Sequence, residues 1–494
     1  MSLFLKRYKS VFFLLAASIL FGISNSVTAW FCFVPVLFLV HSVRPKTVWL
    51  WGALYGCFSY LFYVTWLFTY SASALFGVCF VYAVYCALLF LVLKGAEQFC
   101  GKAAPFVQLA VLVLYEYFKT VGFLGFSYGI NGYTQYKNIY FIQTADFSGV
   151  FGVTALLDFS SVVLYQMSRF FYDNRKNRFC LKAFFPVLTQ FAVLFAGVIF
   201  SYVYGFYKVS AVDKAQAGFR RMPVAAIQHN TDPWKGGIDF YRKDVDSLIL
   251  LSEQALADHP ETELVVWPET AVVPSVMKHY YASEETERKK LVTELLEFID
   301  GQNAAFLVGN FNVQDGNDYN SAFLFRPGEN VLPPAPEVYS KVHLVPFSEY
   351  FPYEKTFPHI YRFLLDGDSH LWTPGTERSV FTLNGLSFAS PICFEDSFGA
   401  DCRIFVRNGA RAFINMSNDA WAKSSRAQKQ HLQNAVFRSV ENHIPTVRST
   451  ASGITCIIDS CGRITAECGE FCTGYAFGTI PVIDRPLQQK KKIG

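Results

Sequence analysis

The chain has 494 residues, enough for two or three domains of ordinary size, and is 52% hydrophobic and 17% aromatic but only 17% charged. That balance is too apolar for a soluble protein of this length. A net charge of +4, with no basic stripe interleaved with aromatics, argues against a nucleic-acid partner. The apolar excess is uneven: it fills the sequence as far as Phe206, and from Ala211 onward the composition is that of a soluble domain.

A membrane span needs about 20 mostly apolar residues. Seven runs approach that size, over residues 11–26, 27–43, 47–70, 72–93, 104–124, 150–167 and 184–206. The first follows Lys6, Arg7 and Lys9, as a secretory signal would, but other spans follow at once and it is read as a retained helix. Basic residues fall in alternate loops. Arg44 and Lys46 occupy one, Lys94 and Lys102 the next, and Arg169, Arg175, Lys176, Arg178 and Lys182 the last; the loops between hold only Lys137. The positive-inside rule then puts the N-terminus in the cytoplasm and everything after Phe206 on the far side, the periplasmic face of a bacterial inner membrane. The expected organisation is a helical bundle over residues 1–209, a linker over 210–221, an α/β domain over 222–484 and a basic tail over 485–494.

Two features in the apolar half bear on chemistry. "GFSYG", Gly125 to Gly129, fits the G-x-S-x-G pattern of serine hydrolases, but that pattern needs a strand–turn–helix setting. Ser127 instead follows an apolar helix and is read as part of a wet loop at a cavity mouth. Glu116 and Lys119 near the end of the fifth run are either functional intramembrane charges or an i,i+3 pair that snorkels. Six of the 12 cysteines lie in each half. In an oxidising compartment Cys456, Cys461, Cys468 and Cys472 are free to pair, with the connectivity open, and no Cys/His spacing implies a metal.

In the second half, short β-branched runs alternate with amphipathic ones. Strands are expected at "MPVAAIQHN", "TELVVWPET", "AAFLVGNFNV", "YNSAFLF", "LSFASPIC", "ARAFINMS", "PTVRSTASGITCIID" and "RITAEC". Helices are expected at "DFYRKDVDSLILLSEQALADH", at "EETERKKLVTELLEFID" with Gly301 as its stop, and at "RAQKQHLQNAVFRSVENH". This alternation argues an α/β domain with a central sheet. In such sheets chemistry collects at the carboxyl ends of strands, where Glu269, Lys341 (in "VYSKVHLVPFSEY", before the apolar "HLVPF") and Cys393 are expected to fall. Taken singly, each has an ordinary reading: a turn cap, a surface lysine, a small core thiol. Their joint order, about 50 to 70 residues apart, is what points to a site.

On these residues the second half resembles the nitrilase, or carbon–nitrogen hydrolase, superfamily, which implies an αββα sandwich carrying a Glu–Lys–Cys set. Together with the helical half, the segments "VVWPET", "YSKVHLVPFSEYFP", "ICFEDSF", "FINMSNDAW" and "QHLQNAVFRSVENHIPTVRSTASGIT" resemble the apolipoprotein N-acyltransferase family. The resemblance implies Glu269 as general base, Lys341 as electrostatic stabiliser and Cys393 as nucleophile. It implies Glu349 as a supporting acid, Glu395 and Trp234 on the substrate side, and Asn320 near the site. Phe394 stands where the family usually has Tyr, and Ala422 where it usually has Phe. Family members commonly end in an eighth membrane helix, whereas no apolar run follows Ile483 here, so the C-terminus is expected outside.

The implied reaction is acyl transfer. Cys393 takes an acyl chain from a membrane phospholipid as a thioester, and the N-terminal amine of a diacylglyceryl-cysteine apolipoprotein takes it as an amide, with no cofactor. A monomer is expected. The alternatives are a membrane-tethered amidase or nitrilase hydrolysing a small C–N substrate, and a transporter with an inert outer domain. The first leaves so many spans unexplained, and the second lacks paired broken helices. A cysteine beside Glu395 and Asp396 should resist ionising, so the distant Glu269 and Lys341 are expected to govern it.

Overall fold

The computed structural model describes residues 2–175, 181–366 and 371–483. The chain divides into two compact units, Met1–Ser210 and Ala211–Gly494. The expected tail over 485–494 lies outside the described residues, as do Lys176 and Arg178.

The first unit is helical: α1 (Ser2–Gly22), α2 (Val34–Ser42), α3 (Val48–Tyr63), α4 (Ala72–Phe99), α5 (Ala104–Phe118), α6 (Val150–Asp173) and α7 (Leu181–Gln216). Each apolar run thus yields a helix, though not every helix is long enough to span by itself. Among the described residues three helices, α4, α6 and α7, are long and apolar enough to cross a membrane. A fourth arises if the segments Thr28–Ser42 and Pro45–Tyr63, bent by 119°, count as one. The reason is length. At 1.5 Å per residue the 15 residues of α5 reach only about 23 Å, against a hydrocarbon core of about 30 Å. α3 and α4 pack closely because Gly52 and Gly56 lack side chains. A Cβ at Gly56 would sit 2.1 Å from the Tyr82 carbonyl oxygen.

The polar groups of this unit sort to two ends. At one end Lys94 donates to the carbonyls of Val40 and His41 and to Glu97, and Arg169 lies 3.6 Å from Glu97. The C-terminal ends of α2, α4 and α6 therefore meet. At the other end Glu116 and Lys119 pair at 3.9 Å, but both are fully buried, so neither snorkels. Lys119 donates to the Gly129 carbonyl and Glu116 accepts from the Asn131 amide, each at 2.8 Å, which pins the Gly125–Gln135 loop. Asn131 in turn donates to Asp158 at 3.0 Å. Ser127 in that loop is buried and not in a wet mouth, because the loop is folded into the bundle.

The second unit opens without the expected linker: α7 continues through Gln216, and β1 begins at Arg221. The helix persists because nothing in "SAVDKAQ" breaks it, and Asp213 and Gln216 are held by Arg463 and Ser460. After β1 (Arg221–Gln228) come α8 (Ile238–Asp258), β2 (Leu264–Val266), α9 (Glu287–Asp300), β3 (Ala305–Gln314), β4 (Asn317–Phe325) and β5 (Glu337–Ser340). β6 (Phe381–Leu383) and β7 (Leu386–Phe388) precede α10 (Gly399–Arg407), β8 (Phe413–Ser417) and α11 (Ser425–Asn442). β9 (Thr446–Thr450), β10 (Thr455–Ile458), β11 (Ile464–Cys468) and β12 (Gly474–Pro481) complete it.

The strands form a six-stranded sheet in the order β12-β1-β2-β3-β4-β5 and a four-stranded sheet in the order β11-β10-β9-β8, with β6 and β7 a separate pair. Strand alternation decides what each face buries. Val224 and Ala226 of β1 point into a core shared with Ile414, Met416 and Val447 of the second sheet. Ala225 and Ile227 point the other way, onto Leu248 of α8 and Leu295 of α9. The result is a helix–sheet–sheet–helix sandwich, the αββα architecture. The "LSFASPIC" strand is shorter than expected: it pairs only over Leu386–Phe388, then runs beside β8 through isolated bridges at Ala389 and Ile392. Pro391 has no amide hydrogen for a longer ladder.

Candidate active site

Glu269 lies just past β2, where "WPET" turns away from the sheet. The turn fits only because β3 carries glycine opposite: a Cβ at Gly309 would lie 2.1 Å from the Pro268 carbonyl and 2.8 Å from the Glu269 Cα. Lys341 is the first residue past β5, and its amide donates to the Asn320 carbonyl of β4 at 2.8 Å. Cys393 begins a single 3-10 turn, Cys393–Ser397, with φ of +50°. Thr270 (φ +46°), Phe347 (φ +64°) and Lys423 (φ +43°) share that left-handed conformation. A non-glycine residue there costs of order 1–3 kcal/mol, and such strain gathers where a fold holds a functional geometry.

These elements bring the expected residues together. Lys341, fully buried, donates to Glu269 Oε1 at 3.1 Å and to Glu349 Oε1 at 2.8 Å. Asn320 Nδ2 donates to Glu269 Oε1, and the Asn418 amide to Glu269 Oε2, both at 2.8 Å. Glu349 Oε2 accepts from the Val345 amide. Glu269 is therefore aimed by three donors and Glu349 by two. Cys393 as a residue is intermediate in exposure. Burial and then Glu269 push its pKa well above the usual thiol value, Lys341 pulls it down, and Asp419 and Glu349 push it up again. Burial pulls Lys341 down, but Glu269 and Glu349 outweigh it and hold the ammonium well above the ordinary lysine value.

The two acids beside the cysteine point elsewhere. Glu395 is not on an open substrate side: it is 1% exposed and braces the loops around the site. It accepts from Tyr339 Oη, from the amides of Val342 and His343, and from the amide of Ile392. Burial pushes its pKa up, against those donors. Asp396, in the same turn, is buried as well. Its oxygens take a 2.8 Å bond from Arg448 Nη1 and a 3.0 Å contact with His431 Nε2. Phe394 is buried with its ring edge-on to Phe398 at 4.9 Å, so the ring is kept where the resemblance implied a hydroxyl as well. Trp234 is half exposed in the loop before α8, and its ring meets that of Trp421 at 5.0 Å and 85°. Trp421 follows Asn418 closely in sequence, which puts an aromatic pair next to the peptide that orients Glu269.

Residue-by-residue reading missed Tyr339, Asn418, Asp419, His431 and Arg448. The last three carry no pattern of their own in sequence, since they sit on three different elements. Arg448 lies in "TVRST", a strand buried at every position but mostly polar in sequence, so it gave no apolar pattern to read. Among the described residues no group of His, Cys, Asp and Glu has the arrangement of a metal site.

Residues 224–484 match the family described as Carbon-nitrogen hydrolase, and residues 11–163 match the Apolipoprotein N-acyltransferase N-terminal domain. The chain is similar to Apolipoprotein N-acyltransferase 1 of Treponema denticola, at 38% identity over 88% of this chain and 82% of that one. It is similar to Apolipoprotein N-acyltransferase 1 of Treponema pallidum, at 39% identity over 93% of this chain and 85% of that one. Apolipoprotein N-acyltransferase of Geobacter metallireducens is 31% identical over 89% of this chain and 82% of its own length.

Proposed function

We propose a mechanism on the premise that this chain belongs to the apolipoprotein N-acyltransferase family. The protein is a membrane acyltransferase that N-acylates lipoproteins. Cys393 is its nucleophile, Glu269 its general base and Lys341 its oxyanion partner. The observation that carries this reading is the buried Lys341 ammonium held between Glu269 and Glu349, with the charges of all three acting on the Cys393 thiol.

In the first half Glu269 takes the thiol proton as sulfur attacks an ester carbonyl of a phospholipid. The negative oxygen of the tetrahedral intermediate is stabilised by Lys341. Collapse expels the lysophospholipid alkoxide, which takes the proton back from Glu269, and leaves a thioester. In the second half the α-amine of the diacylglyceryl-cysteine attacks that thioester and gives its proton to Glu269. The C–S bond breaks, the amide forms, and the thiolate recovers the proton. Thioester to amide is downhill, so no cofactor is required. Asn320, Asn418 and Glu349 aim the base and the cation; Trp234 and Trp421 offer an aromatic edge for an incoming lipid.

The membrane is the bacterial inner membrane, with the catalytic unit on its extracytoplasmic face. What supports this is that the basic ends of α2, α4 and α6 meet at one end of the helical unit. All the proposed residues come from one copy, consistent with a monomer.

The test is intact-mass analysis of the purified protein incubated with phospholipid vesicles. One acyl chain should appear on Cys393, disappear on adding a diacylglyceryl-cysteine peptide, and never form in Cys393→Ala. Turnover without such an adduct would sink the thioester route.

A further inference from the structure

The proposed mechanism leaves a buried charged cluster behind Cys393 without a role. One face of α11 is polar though buried. Along it Gln428 donates to the Asp419 carbonyl at 2.9 Å, and Asn434 donates to Ser397 Oγ at 3.1 Å. Between them stands His431, 4% exposed. Its Nδ1 is 2.7 Å from Asp419 Oδ1. Its Nε2 is 3.0 Å from Asp396 Oδ1 and 3.3 Å from the Cys393 carbonyl oxygen. Arg448 closes the ring of contacts, bonding Asp396 Oδ2 at 2.8 Å and Asp419 Oδ2 at 2.7 Å.

Each of these three oxygens, from two carboxylates and a backbone carbonyl, is an acceptor. A neutral imidazole has one donor and one acceptor nitrogen, so it would set a lone pair against a lone pair at one of its ends. A ring with acceptors at both nitrogens is satisfied only when both carry a proton. The cluster then holds two acids, one imidazolium and one guanidinium, and its charges cancel.

We propose that His431, as an imidazolium, is a positioning residue that holds the nucleophile and the base in mutual register. Through Nε2 it ties down the Cys393 carbonyl and the Asp396 carboxylate, fixing the strained turn that presents the thiol. Through Nδ1 it holds Asp419, whose neighbour Asn418 gives its amide to Glu269 Oε2 at 2.8 Å. One ring therefore anchors both backbone segments that aim the reacting groups. It touches neither lipid nor the scissile bond. The charges acting most strongly on it are Arg448, Asp419 and Asp396; burial and Arg448 lower its pKa, and the two acids outweigh them, pushing it up to about 9. The inference rests on the roles given above to Cys393 and Glu269.

Two measurements test it on the full-length protein in detergent. The first is nitrogen NMR of histidine-labelled protein at pH 8, where an ordinary imidazole, with a pKa of about 6.5, is neutral. One histidine should keep both ring protons, and its signal should vanish in His431→Gln. The second is single-turnover acylation of Cys393 by phospholipid. His431→Gln should slow it by roughly 10- to 100-fold, the scale of a small misplacement of reacting groups, with little change in the phospholipid concentration at half-maximal rate. Should that variant not fold, His431→Gln combined with Asp396→Asn removes a positive and a negative charge together and should fold while staying slow. A neutral His431 ring at pH 8, an undiminished acylation rate, or a loss confined to lipid affinity would each overturn the proposal. The NMR arm involves no lipid, so it still reports on the ring if Cys393→Ala proves active and the thioester reading fails.

Discussion

Two charged clusters adjoin Cys393, and they differ in how their charges add up. The first holds Glu269, Glu349 and Lys341: two acids and one cation around a thiol. The second holds Asp396, Asp419, His431 and Arg448, two of each sign. In the second, every side chain is at most 9% exposed. In the first, Glu349 is 18% exposed and Cys393 is intermediate. Moving a proton from Cys393 to Glu269 leaves the total charge of the first cluster unchanged, so the step needs no counter-ion from solvent. The second cluster has nothing to move. Its balance makes it a fixed frame: damage to it should cost stability first, and rate only where, as at His431, the register of the reacting groups is lost. Damage to the first should appear as lost rate.

The largest expected effects break that contrast most directly. Glu269→Gln keeps the shape and an amide oxygen for Asn418 but cannot accept the thiol proton. Acylation should fall by about 10²–10⁴-fold, with the thermal midpoint near that of the wild type. Arg448→Met removes one cation of the balanced cluster and leaves Asp396 and Asp419 sharing His431 alone. An uncompensated buried charge costs about 3–5 kcal/mol, so this variant should melt much earlier or fail to accumulate. If Glu269→Gln costs more in melting than in rate, or Arg448→Met melts like the wild type, the division of labour is wrong.

The first cluster was largely legible in the sequence and the second was not. Glu269 and Cys393 close apolar runs before turns and Lys341 precedes one, so their joint order, together with the family resemblance, pointed to a shared site. Asp396, Asp419, His431 and Arg448 come from a turn, a second turn, a helix and a strand, and only the packing of α11 against both turns brings them together. The same limit applies to the fold. β1 and β3 are long and carry β-branched residues, and β4 ends in the apolar run "AFLF", so these were readable. β12, "GYAFGTIP", mixes glycine with aromatics and has no clean alternation of burial, yet it pairs along the whole of β1. α2 is only nine residues long, beginning beside Pro35, so the apolar run 27–43 was too generous a guide.

The thiol itself gives a sharper, smaller test. Burial and the surrounding acids push Cys393 well above the usual thiol pKa, with Lys341 opposing. A raised pKa means that the thiolate fraction at neutral pH is small and keeps growing beyond pH 9, where an exposed thiol has already levelled off. Iodoacetamide labelling of Cys393, followed by peptide mass, should therefore still accelerate above pH 9. Lys341→Met should move that rise to still higher pH. A plateau near pH 8 would mean that the lysine dominates and the resting group is a thiolate, and Glu269 would then be needed only for the incoming amine.

The smallest pair of changes matches one hydrogen bond in each cluster. Ser417 Oγ donates to Asp419 Oδ1 at 2.7 Å, and Asn320 Nδ2 donates to Glu269 Oε1 at 2.8 Å. Both bonds run from a neutral donor to a carboxylate that keeps its other partners, so each is worth about 1.5 kcal/mol, the lower end for a bond to a charged group. In Ser417→Ala that loss should lower the melting point by about 2–4 °C and leave acylation within about twofold. In Asn320→Ala the same loss falls on the proposed base, and 1.4 kcal/mol of lost alignment is about tenfold in rate. Equal bonds with unequal readouts are what a frame and a reacting centre should give. Equal readouts would mean that Asp419 and Glu269 act as one unit through the peptide at Asn418, and that the two clusters are a single device.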